Sequence, residues 1–236
     1  MPELTIDIYS DGANIEQMKE AYQSGKVTGF TTNPSLMKQA GITDYTAFAE
    51  EVVATFPEVP VSFEVFADDF ETMAKEADKI ASFGSNVYVK IPITNTKGES
   101  AVPLIKELSE HLVKVNVTAV FTLDQVKAVV EALADKTDSI VSVFAGRIAD
   151  AGIDPIEIMK QSADICHQKR HVKLLWASSR EVLNMIQAQQ AGADIITCTP
   201  DLIKKSASIG KDLEAFSLET VQMFHDDIQK LGYQIL

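Results

Sequence analysis

Eight short apolar runs divide this chain, each followed by a polar cluster and then a stretch with helical spacing. They are Thr5–Ser10, Thr28–Thr32, Val61–Phe66, Val87–Pro92, Val115–Phe121, Ile140–Ala145, Val172–Ser178 and Asp194–Cys198. Their starts lie about 22–33 residues apart, the length of one strand and one helix. β-branched residues in short runs predict strands. Val126, Val129, Val130 and Leu133 recur as one face of a helix does. Strand and helix alternate to the end without a Pro/Gly/Ser linker, so residues 1–236 read as a single domain. Eight such units predict a closed α/β architecture, the (β/α)8 or TIM barrel. An open doubly wound sheet is the competitor. It would more often carry a glycine-rich phosphate loop after its first strand, and Ser10-Asp11-Gly12-Ala13-Asn14 is not one.

The punctuation agrees. Asn14, Asp68, Thr122 and Ser178 each stand three residues before a Gln or Glu, the spacing of a capping box. Asn33, Asp154 and Thr199 each precede a proline suited to a first helical turn. Gly25, Gly84 and Gly192 are placed to end helices in the left-handed conformation. Past the eighth run, Leu213, Phe216, Val221, Phe224, Ile228 and Leu231 predict one or two amphipathic helices. These pack on the barrel or on a neighbouring subunit.

Charge narrows the function. Lys and Arg total 21 against 34 Asp and Glu, a net charge of −13. That argues against nucleic acid and anionic membranes as partners. No apolar run approaches the ~18 residues of a membrane span. The start lacks the basic and apolar regions of a signal peptide. Cys166 and Cys198 make no disulfide framework, and the expected location is the cytoplasm.

A barrel's chemistry sits at the C-terminal ends of its strands. Lys90 stands there, in the apolar run Val-Tyr-Val-Lys-Ile-Pro. An amine among apolar groups loses stabilisation of its charge, so its pKa is expected to fall and it can attack a ketone. Glu64 shares a face with Ser62 and Phe66, and is either a general acid/base or the ion partner of an inward lysine. Asp11 is a second proton carrier or a turn residue. Asn116 and Thr118 share one strand face and can orient a substrate hydroxyl and a water. Arg147, Arg180 and Ser178 follow neighbouring strands and suit a phosphate; surface ion pairs are the other reading of the two arginines. His167 and His171 have formal metal spacing beside Cys166, but lie at the wrong end of the barrel, so no metal is expected. Trp176 reads as core packing.

Gly29-Phe30-Thr31-Thr32-Asn33-Pro34-Ser35-Leu36, Val89–Pro92, Asn116–Thr118, Phe144–Ile148 and Ala177–Arg180 occur here in an order that resembles the transaldolase family, over nearly the whole chain. The short length resembles its compact branch. The resemblance implies a cofactor-free, metal-free Schiff-base enzyme of the pentose phosphate route. It would move a dihydroxyacetone unit from a ketose phosphate, such as fructose 6-phosphate or sedoheptulose 7-phosphate, to an aldose phosphate. Lys90 then matches the imine-forming lysine, and Glu64 with Thr118 the pair that holds and activates a water. Asp11 matches the acceptor of a hydroxyl proton. Asn33, Asn116 and Ser142 match contacts to the dihydroxyacetone part. Arg147, Ser178 and Arg180 match the phosphate site. Sugar phosphates are the implied partners, and a homo-oligomer (dimer, pentamer or decamer) the implied assembly.

Gly12, Ser179 and Thr199-Pro200 depart from the family's usual pattern and bear on the sugar pocket. The related fructose-6-phosphate aldolases, which release dihydroxyacetone, resemble the chain in Lys90, Asp11 and Asn33. They typically carry Gln where Glu64 stands and Tyr where Phe144 stands, so Glu64 and Phe144 favour the transferase. A related enzyme for a sugar with another anionic group and a non-catalytic sugar-phosphate-binding barrel are the remaining alternatives.

Overall fold

The computed structural model describes residues 3–235. Its strands are β1 (Asp7–Asp11), β2 (Gly29–Thr31), β3 (Val61–Glu64), β4 (Val87–Pro92), β5 (Val115–Val120), β6 (Ser139–Val143), β7 (Val172–Trp176) and β8 (Ile195–Cys198). Each pairs in parallel with the next, and β8 closes onto β1. The fold is the expected (β/α)8 barrel. Each strand overlaps one of the predicted runs.

The helices are α1 (Ile15–Gln23), α2 (Pro34–Gln39), α3 (Tyr45–Thr55), α4 (Phe70–Ala81), α5 (Val102–Glu110), α6 (Leu123–Ala132), α7 (Ala145–Asp150), α8 (Ile156–Cys166), α9 (Leu183–Gln190), α10 (Pro200–Lys205) and α11 (Leu213–Leu231). The second and sixth crossovers thus hold two helices each, α2 with α3 and α7 with α8.

The apolar residues divide by strand face. Val61, Phe63, Val89, Ile91, Val115, Val117, Val141, Leu174 and Trp176 join the helices in the main core. Tyr9, Ile140, Leu175, Ala177 and Ile195 form a second, smaller cluster. The alternation of side chains along a strand accounts for both: one set faces the helical layer and the other fills the barrel. Gly29 stands opposite Tyr9 in the ladder. A Cβ at Gly29 would lie 2.4 Å from the Tyr9 ring, so the bare α-carbon makes room for the ring inside the barrel.

Most caps are as predicted. Asn14, Asn33, Thr122 and Thr199 accept from backbone N–H groups of the helices they start, and Thr122 with Gln125 forms a complete capping box. Three expectations are corrected. Asp69, not Asp68, caps α4; Asp68 instead accepts from the backbone and hydroxyl of Thr96. Ser178 starts no helix: its φ is +63°, and α9 begins only at Leu183. Gly84 is not left-handed but tight, its missing Cβ coming within 2.7 Å of Val53 and Asn86. The C-terminal stretch is a single helix, α11, with no buried residue, so it does not pack on its own barrel. Trp176 is buried, as expected; its indole N–H finds no partner among the described residues.

Candidate functional site

A cavity of about 160 Å³ opens among the C-terminal ends of the strands. Eight of the sequence-predicted residues line it: Asp11, Asn33, Lys90, Thr118, Ser142, Phe144, Arg147 and Ser178. Glu64, Asn116 and Arg180 do not, and each absence has a visible reason.

Glu64 reaches the cavity through Lys90. The two are register partners on β3 and β4, and Asn116 on β5 is the next in the same row. The Glu64 carboxylate lies 3.2 Å from Lys90 Nζ, which also donates to the Thr32 carbonyl at 3.2 Å. Lys90 is only 8% exposed, and this carboxylate compensates its ammonium for lost water. Of the two readings of Glu64 made from the sequence, the ion pair with an inward lysine is the contact the structure contains. The Tyr45 hydroxyl fixes Glu64 from behind by donating to its carbonyl at 3.1 Å.

Asn116 lies deeper. Its amide donates to Ser62 Oγ at 3.0 Å, and its carbonyl oxygen accepts from Ser142 Oγ at 2.6 Å. Ser142 thereby spends its proton inward and keeps its lone pairs for the cavity. Asn33 is used on one side only: its Oδ1 accepts from Leu36 N–H at the start of α2. Its amino group makes no bond to the described residues.

Thr118 owes its aim to a bulge. The β5–β6 register slips between Val117 and Val120, and Ala119 sits at φ +57°. The Thr118 hydroxyl is buried without a partner among the described residues. A buried hydroxyl of this kind is costly unless something entering the cavity bonds to it.

Asp11 accepts from Thr31 Oγ1 at 2.9 Å, and Thr31 lies 2.6 Å from Thr197 Oγ1. Thr31 has one hydroxyl proton, so while Asp11 is ionised Thr197 must be the donor to Thr31. Burial raises the Asp11 carboxyl above its ordinary value; the Lys90 charge and the Thr31 bond pull the other way, and Glu64 adds to the rise. Thr31, Leu175 and Ala177 were not singled out from the sequence as site residues. Thr31 was available, because it is the register partner of Asp11 on the adjoining strand. Short apolar residues such as Ala177 carry no chemical signal.

The two arginines differ. Arg147 lines the cavity and makes no ion pair among the described residues. Arg180 points away and is paired with Asp150 at the end of α7. At the opposite end of the barrel, His167 bonds Asp194 and His171 bonds Asp138. Burial pushes the Cys166 thiol up to about 12. No group of three His, Cys, Asp or Glu among the described residues is arranged to hold a metal ion.

The family model for transaldolase/fructose-6-phosphate aldolase matches residues 8–235. The chain belongs to this family. A probable transaldolase of Dehalococcoides mccartyi is 38% identical over 191 residues, covering 80% of this chain and 85% of the relative. One of Bartonella bacilliformis is 34% identical over 98% of this chain and 100% of its own. One of Methanococcus maripaludis is 36% identical over 85% and 89%. A solved structure, KGPDC from Streptococcus mutans, overlays with a TM-score of 0.58 at 11% identity, covering 84% of this chain and 90% of that one. That likeness concerns the barrel alone. Among the described residues no helix is long and apolar enough to cross a membrane.

Proposed function

We propose that this member of the transaldolase/fructose-6-phosphate aldolase family is a transaldolase working through a Schiff base on Lys90. The observation that carries the reading is the buried amine of Lys90, 3.2 Å from Glu64, in a cavity whose Arg147 makes no ion pair among the described residues. Glu64 takes the ammonium proton and the neutral amine attacks the ketose carbonyl. The carbinolamine loses its hydroxyl as water, with Glu64 returning the proton and the Thr118 hydroxyl holding the water. Asp11, whose burial raises its affinity for protons, takes the proton of the hydroxyl beside the bond to be broken. The carbon–carbon electron pair moves into the iminium, giving an enamine and a free aldose phosphate. An acceptor aldose phosphate then enters, the steps reverse, and hydrolysis frees Lys90.

Asn33, Asn116 and Ser142 orient the dihydroxyacetone part. Arg147 and Ser178 hold the phosphate, which places the reacting carbon by binding remote from it. Arg180 joins them only by leaving Asp150. No prosthetic group is needed in this scheme.

The assembly we propose is a homo-oligomer in which α11 of one copy docks on another. Helix α11 carries eight large exposed apolar or aromatic residues, among them Leu213, Val221, Phe224 and Leu231, and Tyr233 and Ile235 follow it. We place the protein in the cytoplasm, where Cys166 and Cys198, both buried and free, stay reduced.

The test is fructose 6-phosphate with and without erythrose 4-phosphate, following glyceraldehyde 3-phosphate. Release that depends on the acceptor is expected. Equal release without it would make the protein an aldolase that lets the enamine go.

A further inference from the structure

We propose that Gly146 and Asp150 are positioning residues that lock the loop after β7 against α7, so that Arg147 and Ser178 form one cradle for a phosphate monoester. The inference rests on the sugar-phosphate reading above and deepens it.

The loops after β6 and β7 meet backbone to backbone. A Cβ on Gly146 would lie 1.6 Å from the Ser178 carbonyl oxygen and 2.7 Å from its carbonyl carbon. Both atoms are main chain, so no side-chain rotation relieves the clash. Any residue but glycine at 146 must push the β7 loop away. Ser178 itself is held at φ +63°, a region that residues with a Cβ avoid unless their surroundings impose it.

The surroundings here do impose it. Gly146 N–H donates to the Ala177 carbonyl at 3.3 Å, and Ala177 N–H to Val143 at 2.8 Å. Ser179 Oγ donates to the Thr197 carbonyl on β8 at 2.8 Å, and Arg180 N–H to Asn184 Oδ1 at 2.8 Å. The Arg180 guanidinium then pairs with Asp150, which closes the same two loops a second time at their far ends.

Between these ties stand the two residues that face the cavity. Arg147 follows Gly146 directly, and Ser178 is the residue Gly146 touches. Arg147 supplies a positive charge unpaired among the described residues, and Ser178 a hydroxyl. That pair suits a phosphate monoester, provided both keep their separation. A strained loop keeps it only while Gly146 and Asp150 hold.

The experiment uses full-length Gly146→Ala and Asp150→Asn. It compares KM and kcat for fructose 6-phosphate with the yield of borohydride-trapped dihydroxyacetone on Lys90, a reaction that has no phosphate to place. For Gly146→Ala, KM for fructose 6-phosphate is expected to rise about tenfold with the trapped yield unchanged. For Asp150→Asn, whose side chain is exposed, the expected rise is about threefold. Should Gly146→Ala fail to fold, Asp150→Asn decides alone. An unchanged KM, an equal loss in both assays, or a lower KM in Asp150→Asn would overturn the proposal. The last of these would mean that Asp150 competes with phosphate for Arg180. A parent chain that traps no dihydroxyacetone would instead remove the Schiff-base reading beneath it.

Discussion

The barrel wall and the helix that follows it draw on the same apolar residues and end in opposite states. Phe63 on β3 is fully buried between strand and helices, whereas Phe224 on α11 is 59% exposed. Yet α11 is well specified locally. Asp212 accepts from Ala215 N–H at its start, and Gly232 ends it at φ +67°. Caps decide where a helix begins and ends; they do not supply the burial that keeps it folded. In proteins most of a helix's stability comes from packing its apolar face rather than from intrinsic propensity. The barrel buries residues such as Phe63, whereas α11 buries none of its own. This difference is what supports the homo-oligomer proposed above.

Substitutions matched across the two regions sharpen the contrast. Phe63→Ala should cost about 3–5 kcal/mol of unfolding free energy, read by denaturant titration. Phe224→Ala should cost the isolated chain little and should instead lower the mass measured by sedimentation. A large loss of barrel stability with unchanged mass would break the comparison.

Asp11→Asn falls between these in effect and belongs to the site. Turnover of fructose 6-phosphate should fall on the order of 10²-fold, because the proton acceptor is gone. Stability should move the other way. A buried carboxyl with a raised pKa costs the fold stability once pH rises above its unfolded value and through its folded one. Asp11→Asn should therefore melt higher than the parent at neutral pH, and the advantage should vanish in acid. A variant less stable at neutral pH would mean that the Thr31 bond outweighs the burial.

Fold and site were legible to different depths. The eight strands were plain because β-branched runs between cap residues carry a local signal, as Thr122 with Gln125 and Asn33-Pro34 show. Eight of the candidate residues share the cavity because strand alternation and the barrel's geometry place strand ends together. What stayed hidden depends on tertiary context. Adjacent Asp68 and Asp69 compete for one cap, and the winner is set by Thr96, which occupies Asp68. Ser178 has cap spacing, but the contact with Gly146 overrides it. The Arg180–Asp150 pair joins residues on two different crossovers, and no spacing announces it.

The central claim is that the Lys90 amine takes up the donor ketose. Fructose 6-phosphate, borohydride and the intact protein, followed by peptide mass analysis, test it directly. The expected result is one reduced three-carbon adduct per chain, on Lys90 and absent from Lys90→Ala. No adduct, or an adduct on another lysine that persists in Lys90→Ala, would contradict the account.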